Sequence, residues 1–293
     1  MRVAIIGANG QLGTDLTRVL RQQAKHSVVA LTHADVEVTD MPSVTQMMGT
    51  HHPDLVINTA AFHKVDLCEE RIEQAFAVNV HGVYHLALAC RQHNAALVHI
   101  STDYVFGGDA ARRAPYAESD RPAPITVYGT SKLAGENLLS FLLERRFVVR
   151  TAGLYGAAGS RVKRGNFVEL MLRLAAEGRD IRVVDDQRTT PTYTVDLASQ
   201  IAALIETGAY GLYHATSQGS CTWYEFATEV FRQSGLSPRL SQARTGDFGE
   251  KATRPAYSVL DNKGLRDLGL DLMRPWQEAL APYLRERDLA QQD

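Results

Sequence analysis

Three short stretches carry residues whose types and spacing could do chemistry. In VYGTSKLAGEN, residues 127–137, Tyr128 and Lys132 stand four positions apart. On a helix such positions share a face, so a phenol and an ammonium point at one spot. A free phenol ionises near about pH 10, and a cation within about 4–6 Å would favour its ionised form. In ISTDYVF, Thr102 and Asp103 close an apolar run; a hydroxyl there supplies a placed donor to an oxygen on which negative charge builds. In GANGQLG, Gly7, Gly10 and Gly13 are spaced GxxGxxG. Glycine permits the tight turn and the close approach of backbone to a pyrophosphate, and the helix that follows offers unpaired N–H groups. Taken singly, the Tyr–Lys pair also fits a solvated helix face and the glycines a plain β–α turn. Together they point to acid–base chemistry beside a bound dinucleotide.

The surrounding elements are the ones such chemistry requires. RVAIIG (2–7) reads as a buried strand ending in glycine, and QLGTDLTRVLRQQA (11–24) as a helix with Leu12, Leu16, Val19 and Leu20 on one face. Strands follow at 27–31, 54–61, 96–106 and 146–156, alternating with helices, one of them long, from Cys68 to Asn94, although Val78, Val80 and Gly82 weaken its pattern locally. This order predicts an α/β protein with a Rossmann-type, doubly wound parallel sheet. Beyond about residue 155 the rhythm is less regular. The expected division is a dinucleotide-binding domain over 1–155 and a smaller C-terminal α/β substrate lobe over 156–293, packed on the first with some chain crossing back.

Composition narrows the partners. A formal net charge of −2 gives no electrostatic reason to expect nucleic acid. No run approaches the roughly 20 apolar residues of a membrane span, and MRVAIIGANG lacks the apolar region of a signal peptide. Cys68, Cys90 and Cys221 form no CxxC pair, so neither a disulfide framework nor a zinc site is expected. A cytoplasmic protein without a bound metal is the expectation. The second strand ends Leu31, Thr32, His33; an acid there would favour NAD. Its absence, with His33 present, predicts NADPH, with NADH tolerated.

The glycine spacing looks like the extended short-chain dehydrogenase/reductase superfamily. Read in order, GANGQLG, INTAAFHKVDLCE, VHISTDYVFGG, PYAESDRPAPITVYGTSKLAGE, VVDDQRTTPTYTVDLA and RPAYSVLDNKGL resemble the dTDP-4-dehydrorhamnose reductase family over almost the whole chain. The resemblance implies hydride transfer from NAD(P)H to the C4 ketone of dTDP-4-dehydro-L-rhamnose, a nucleotide-sugar substrate. Tyr128 would donate the proton, Lys132 would hold the nicotinamide ribose, and Thr102 and Asp103 would touch the sugar. Gly10, Gln11 and Leu12 would line the pyrophosphate, Glu37 and Val38 the adenine, and Ala60, Ala61 and Phe62 the nicotinamide side. Arg254 is a candidate for the substrate diphosphate, and a homodimer is expected.

Two departures stand out. Glu37 replaces the family's usual Asp, and Gly153 in RTAGLYG replaces a Trp that packs on the sugar. Losing that indole removes a large apolar surface. Tyr104 follows Thr102–Asp103 where the superfamily's dehydratases carry Glu, which disfavours water elimination. His63 and Lys64 suit either a substrate contact or a solvated loop, and Trp223 suits the core. Two other readings stay open: a non-catalytic binding subunit, like the β subunit of methionine adenosyltransferase, and a nucleotide-sugar epimerase.

Overall fold

The apolar run after Met1 forms strand β1 (Arg2–Ile6), and the glycine loop leads into α1 (Gln11–Gln22). Next come β2 (Ser27–Leu31), α2 (Met41–His51) and β3 (Leu55–Asn58). Asp40 caps α2 by accepting the Ser43 N–H, and Pro42 sits in its first turn, where its missing N–H costs nothing. The computed structural model describes residues 1–160, 165–249 and 251–290; residues 161–164, 250 and 291–293 of the expected second lobe lie outside them.

The long helix expected from Cys68 to Asn94 is broken. It divides into α3 (Val65–Glu70), α4 (Ile72–Phe76), a π-helical turn at Ala77–His81, and α5 (Gly82–Gln92). Arg71 leaves the helical region at φ −126°, ψ 58°. In the wide turn, Asn79 is buried with its amide bound to the Phe62 backbone. A π-turn adds a residue to the helix, and such turns gather at functional sites. Strand β4 (Ala96–Thr102), helix α6 (Val127–Leu142) and β5 (Arg146–Thr151) follow.

Among the described residues the main sheet has six strands in the order β2-β1-β3-β4-β5 and then Gly211–His214, every pair parallel. The chain turns to one side of β1 for β2 and to the other for β3. That reversal opens a crevice beyond the carboxyl ends of β1 and β3. Both faces of the sheet are covered, which is why its strands read as continuous apolar runs. Val3 and Ile5 pack with Leu16 and Leu20 of α1 and Ile201 of the helix Thr194–Leu204. Ala4 and Ile6 pack with Met48 of α2, Leu86 of α5 and Leu139 of α6.

The chain beyond residue 155 thus supplies the sixth strand and a covering helix. With Tyr155 it also builds a cluster around Phe226, Trp276 and Tyr283. From this part Thr189 and Ser258 reach back to the crevice.

Candidate active site

The glycine loop is built for close approach. A Cβ at Gly13 would lie 2.2 Å from the Gly7 carbonyl oxygen, so α1 can start this near β1 only with glycine there. No side chain caps α1 at Gly10. Its first-turn amides therefore keep their capacity to donate to an anion. Two cavities flank the loop and share Ala61. One, of about 420 Å³, is walled by Gly7, Glu37, Val38, Ala60 and Phe62, with His33 at its edge. The other, of about 390 Å³, is walled by Gly10, Gln11, Leu12 and Gly13 and by Thr102, Asp103, Tyr128 and Lys132. An uncapped helix start between two adjoining hollows fits an elongated ligand with an anionic centre, as a dinucleotide is.

Helix α6 carries Tyr128 and Lys132 into the second cavity. Thr126 caps it by accepting the Gly129 N–H at 2.9 Å. A Cβ at Gly129 would lie 2.1 Å from the Tyr104 carbonyl oxygen, so glycine lets the helix press on the turn after β4. The contact sets the Tyr104 and Tyr128 rings edge to face, with centroids 5.8 Å apart. Thr102 and Tyr128 line the same cavity. Burial holds the ionisation of Tyr128 well above the usual phenol value; Thr102 pulls it down, and Asp103, Cys68 and Tyr104 add to the rise.

The expectation that Lys132 acidifies Tyr128 is not met in this arrangement. Lys132 is buried, and its Nζ lies 2.7 Å from the Ile100 carbonyl oxygen and 3.1 Å from His99 Nε2. Burial lowers its pKa to about 8, against the pull of Glu136. Glu136 is itself claimed by Arg150, at 2.7 Å, and by Ser101.

Asp103 is buried at the junction of both halves of the chain. Its carboxylate accepts from Thr102 (3.1 Å), Ser258 (2.6 Å) and Thr189 (3.4 Å). Burial raises its pKa to about 6 despite these bonds.

The structure thus gathers Gly10, Gln11, Leu12, Gly13, Thr102, Asp103, Tyr128 and Lys132 around one hollow, and Gly7, Glu37, Val38, Ala60, Ala61 and Phe62 around its neighbour. Arg254 stands apart. It pairs with Asp66 at 2.8 Å and lines a different hollow with Tyr104 and Trp223. Trp223, expected in the core, opens a helix and is only partly buried. It packs on Phe167 at 4.8 Å while walling the cavity that holds Tyr128 and Gly153. His63 lines that cavity too, whereas Lys64 is exposed.

Sequence reasoning missed Asn58, His99 and Asn79. Asn79 binds the backbone of Phe62 and the Ser131 hydroxyl, which in turn donates to the Tyr128 carbonyl. The signal for Asn58 and His99 was their polarity inside the apolar strands LVIN and ALVHIST.

Residues 1–288 match the family model described as the RmlD substrate binding domain. The chain is 43% identical over 289 residues to the spore coat polysaccharide biosynthesis protein SpsK of Bacillus subtilis, covering 99% of each chain. It is 42% identical over 286 residues to the dTDP-4-dehydrorhamnose reductase of Streptomyces griseus, covering 95% of this chain and 91% of that one. The crystal structure of dTDP-4-dehydrorhamnose reductase from Bacillus anthracis in complex with NADP superposes with a TM-score of 0.91 at 39% identity. That match covers 97% of this chain and 99% of the other.

Proposed function

The chain belongs to the family of the RmlD substrate binding domain, and from that premise we propose that it is an NADPH-dependent reductase of the C4 ketone of dTDP-4-dehydro-L-rhamnose, yielding dTDP-L-rhamnose. The observation that carries this reading is one cavity walled by the glycine loop on one side and by Thr102, Tyr128 and Lys132 on the other. Gln11 and Leu12 would hold the pyrophosphate through backbone amides with Gly10 lining it, and Glu37 and Val38 would border the adenine. His33, and the lack of an acid at the end of β2, support NADPH over NADH. NADPH, when bound, supplies hydride to the ketone carbon.

The chain's own residues then handle the proton. Tyr128 is kept protonated by burial and gives its proton to the ketone oxygen. Thr102, whose hydroxyl donates to Asp103 before substrate arrives, would turn that one donor to the same oxygen. Lys132, one turn along α6, supplies the cation that offsets the phenolate and holds the nicotinamide ribose. We assign substrate contacts chiefly to the chain beyond residue 155, with Trp223 giving the apolar wall that Gly153 does not. Arg254 would act on the diphosphate from the adjoining hollow, after leaving Asp66.

The exposed Tyr84 of α5 and Phe141 of α6, on two helices in contact, support a homodimer. Three free, buried cysteines support a reducing compartment, the cytoplasm.

The test is spectrophotometric oxidation of NADPH by the ketosugar. Replacement Tyr128→Phe is expected to lower kcat by about 10²–10⁴, the usual worth of a placed general acid. A Tyr128→Phe protein with normal turnover would overturn the assignment. Stoichiometric NADPH consumption separates reduction from epimerisation.

A further inference from the structure

Lys132 is held by a network that this reaction scheme leaves unused. Asn58 and His99 are register partners on neighbouring strands β3 and β4, both buried. Asn58 Oδ1 accepts the Ala60 N–H at 3.1 Å, and Asn58 Nδ2 lies 3.3 Å from His99 Nδ1. A backbone amide only donates, so the amide oxygen of Asn58 must face Ala60 and its NH2 must face the ring. That NH2 also only donates. Nδ1 is therefore the acceptor, and the proton of the neutral imidazole sits on Nε2. Nε2–H in turn faces Lys132 Nζ at 3.1 Å. An ammonium there would set donor against donor. An amine has a lone pair to receive Nε2–H while it donates to the Ile100 carbonyl.

Resting on the functional reading above, we propose that Asn58 and His99 are positioning residues for Lys132: by fixing the imidazole proton on Nε2 they dock the lysine as an amine, and protonation of Nζ releases it into the cavity that Tyr128 lines. The pair thereby couples the position of the lysine to its charge. Other ionisable groups around it are Glu136 on α6, which is paired to Arg150 of β5, and across the cavity Tyr128, Asp103, Tyr104 and His63, with Cys68 beside Tyr128. Burial acts against the charge on Lys132, and Glu136 favours it. Burial lowers the ionisation of both Lys132 and His99, the direction that docking as a neutral pair requires. Since the phenolate needs a cation, reduction should fall on the alkaline side as the amine form docks.

The experiment uses the full chain labelled with 15N in histidine and lysine side chains, alongside pH profiles of kcat/KM. In the wild type, NMR should find the His99 proton on Nε2; a proton on Nδ1 overturns the proposal even if no variant folds. In Asn58→Asp, a carboxylate of the same shape keeps the Ala60 bond and accepts from Nδ1–H. Nε2 then becomes an acceptor for the ammonium. The imidazole proton should move to Nδ1, and both the Lys132 titration and the alkaline limb should rise by about one pH unit or more. A titration that stays put, or one that rises while the proton remains on Nε2, overturns the proposal. Loss of all NADPH-dependent turnover in the wild type would instead defeat the reductase reading, and the NMR titrations would still judge the His99 assignment.

Discussion

Replacing Asp103 by Asn should make the protein more stable at alkaline pH and not at acid pH. The carboxyl is 3% exposed and accepts from Thr102, Ser258 and Thr189. Those bonds do not repay its desolvation, since burial lifts the pKa from 3.8 to about 6. That rise corresponds to about 3 kcal/mol between protonation states. Between the two values the folded chain binds the proton more tightly than the unfolded chain, so stability falls as pH rises. The penalty is absent below the unfolded value and complete above about 6. An Asn amide carries no charge to desolvate, and the Ser258 and Thr189 hydroxyls can rotate to accept from it. Asp103→Asn should therefore gain up to about 3 kcal/mol over wild type at pH 8, shrinking toward zero near pH 4. Urea unfolding at several pH values, followed by circular dichroism, measures the difference directly. A gap between the two proteins that is the same at pH 4.5 and pH 8, or a variant weaker than wild type at pH 8, would refute this reasoning.

Other perturbations test the site and its support. Gly13→Ala places a methyl 2.2 Å from the Gly7 carbonyl oxygen; it should weaken NADPH binding at least about tenfold, because the loop must shift away from the pyrophosphate position, and fluorescence titration of NADPH reads this. Arg150→Met strands the buried Glu136 carboxylate, now 2.7 Å from the guanidinium; breaking such a pair costs about 3–5 kcal/mol, visible as a lower urea midpoint. Thr126→Ala removes the cap on α6 and should cost about 1 kcal/mol, with a fall in kcat because Tyr128 lies in the capped turn.

The parts legible in the sequence are those set by local pattern. The apolar run and glycine spacing at 2–13 expose β1, its loop and α1, since turn chemistry and helical period act over a few residues. Tyr128 and Lys132 share a cavity because α6 spans both. What escaped is what distant packing decides. Thr189 and Ser258 meet Asp103 across 86 and 155 residues, and no local signal announces that meeting. The helical stretch after Val65 widens into a π-turn at Ala77–His81, where Asn79 serves the Phe62 backbone, a demand from outside the helix. Arg254 was placed by residue type, whereas Asp66 decides where its guanidinium lies. Lys132 likewise shares a face with Tyr128 but gives its Nζ to β4, because buried carbonyl and imidazole partners compete for it there.

The outermost strand, Gly211–His214, pairs with β5 from Phe147 to Arg150, and Leu197, Ala198 and Ile201 roof the face that α1 shares. During synthesis, β5 leaves the ribosome some sixty residues before its neighbour does. Until then the nascent chain displays a naked hydrogen-bonding border and an oily surface, the features that invite sticking between chains. A gene fragment stopped at residue 155 would keep that immaturity permanently, so the two halves of this protein should be studied, and inherited, as one piece.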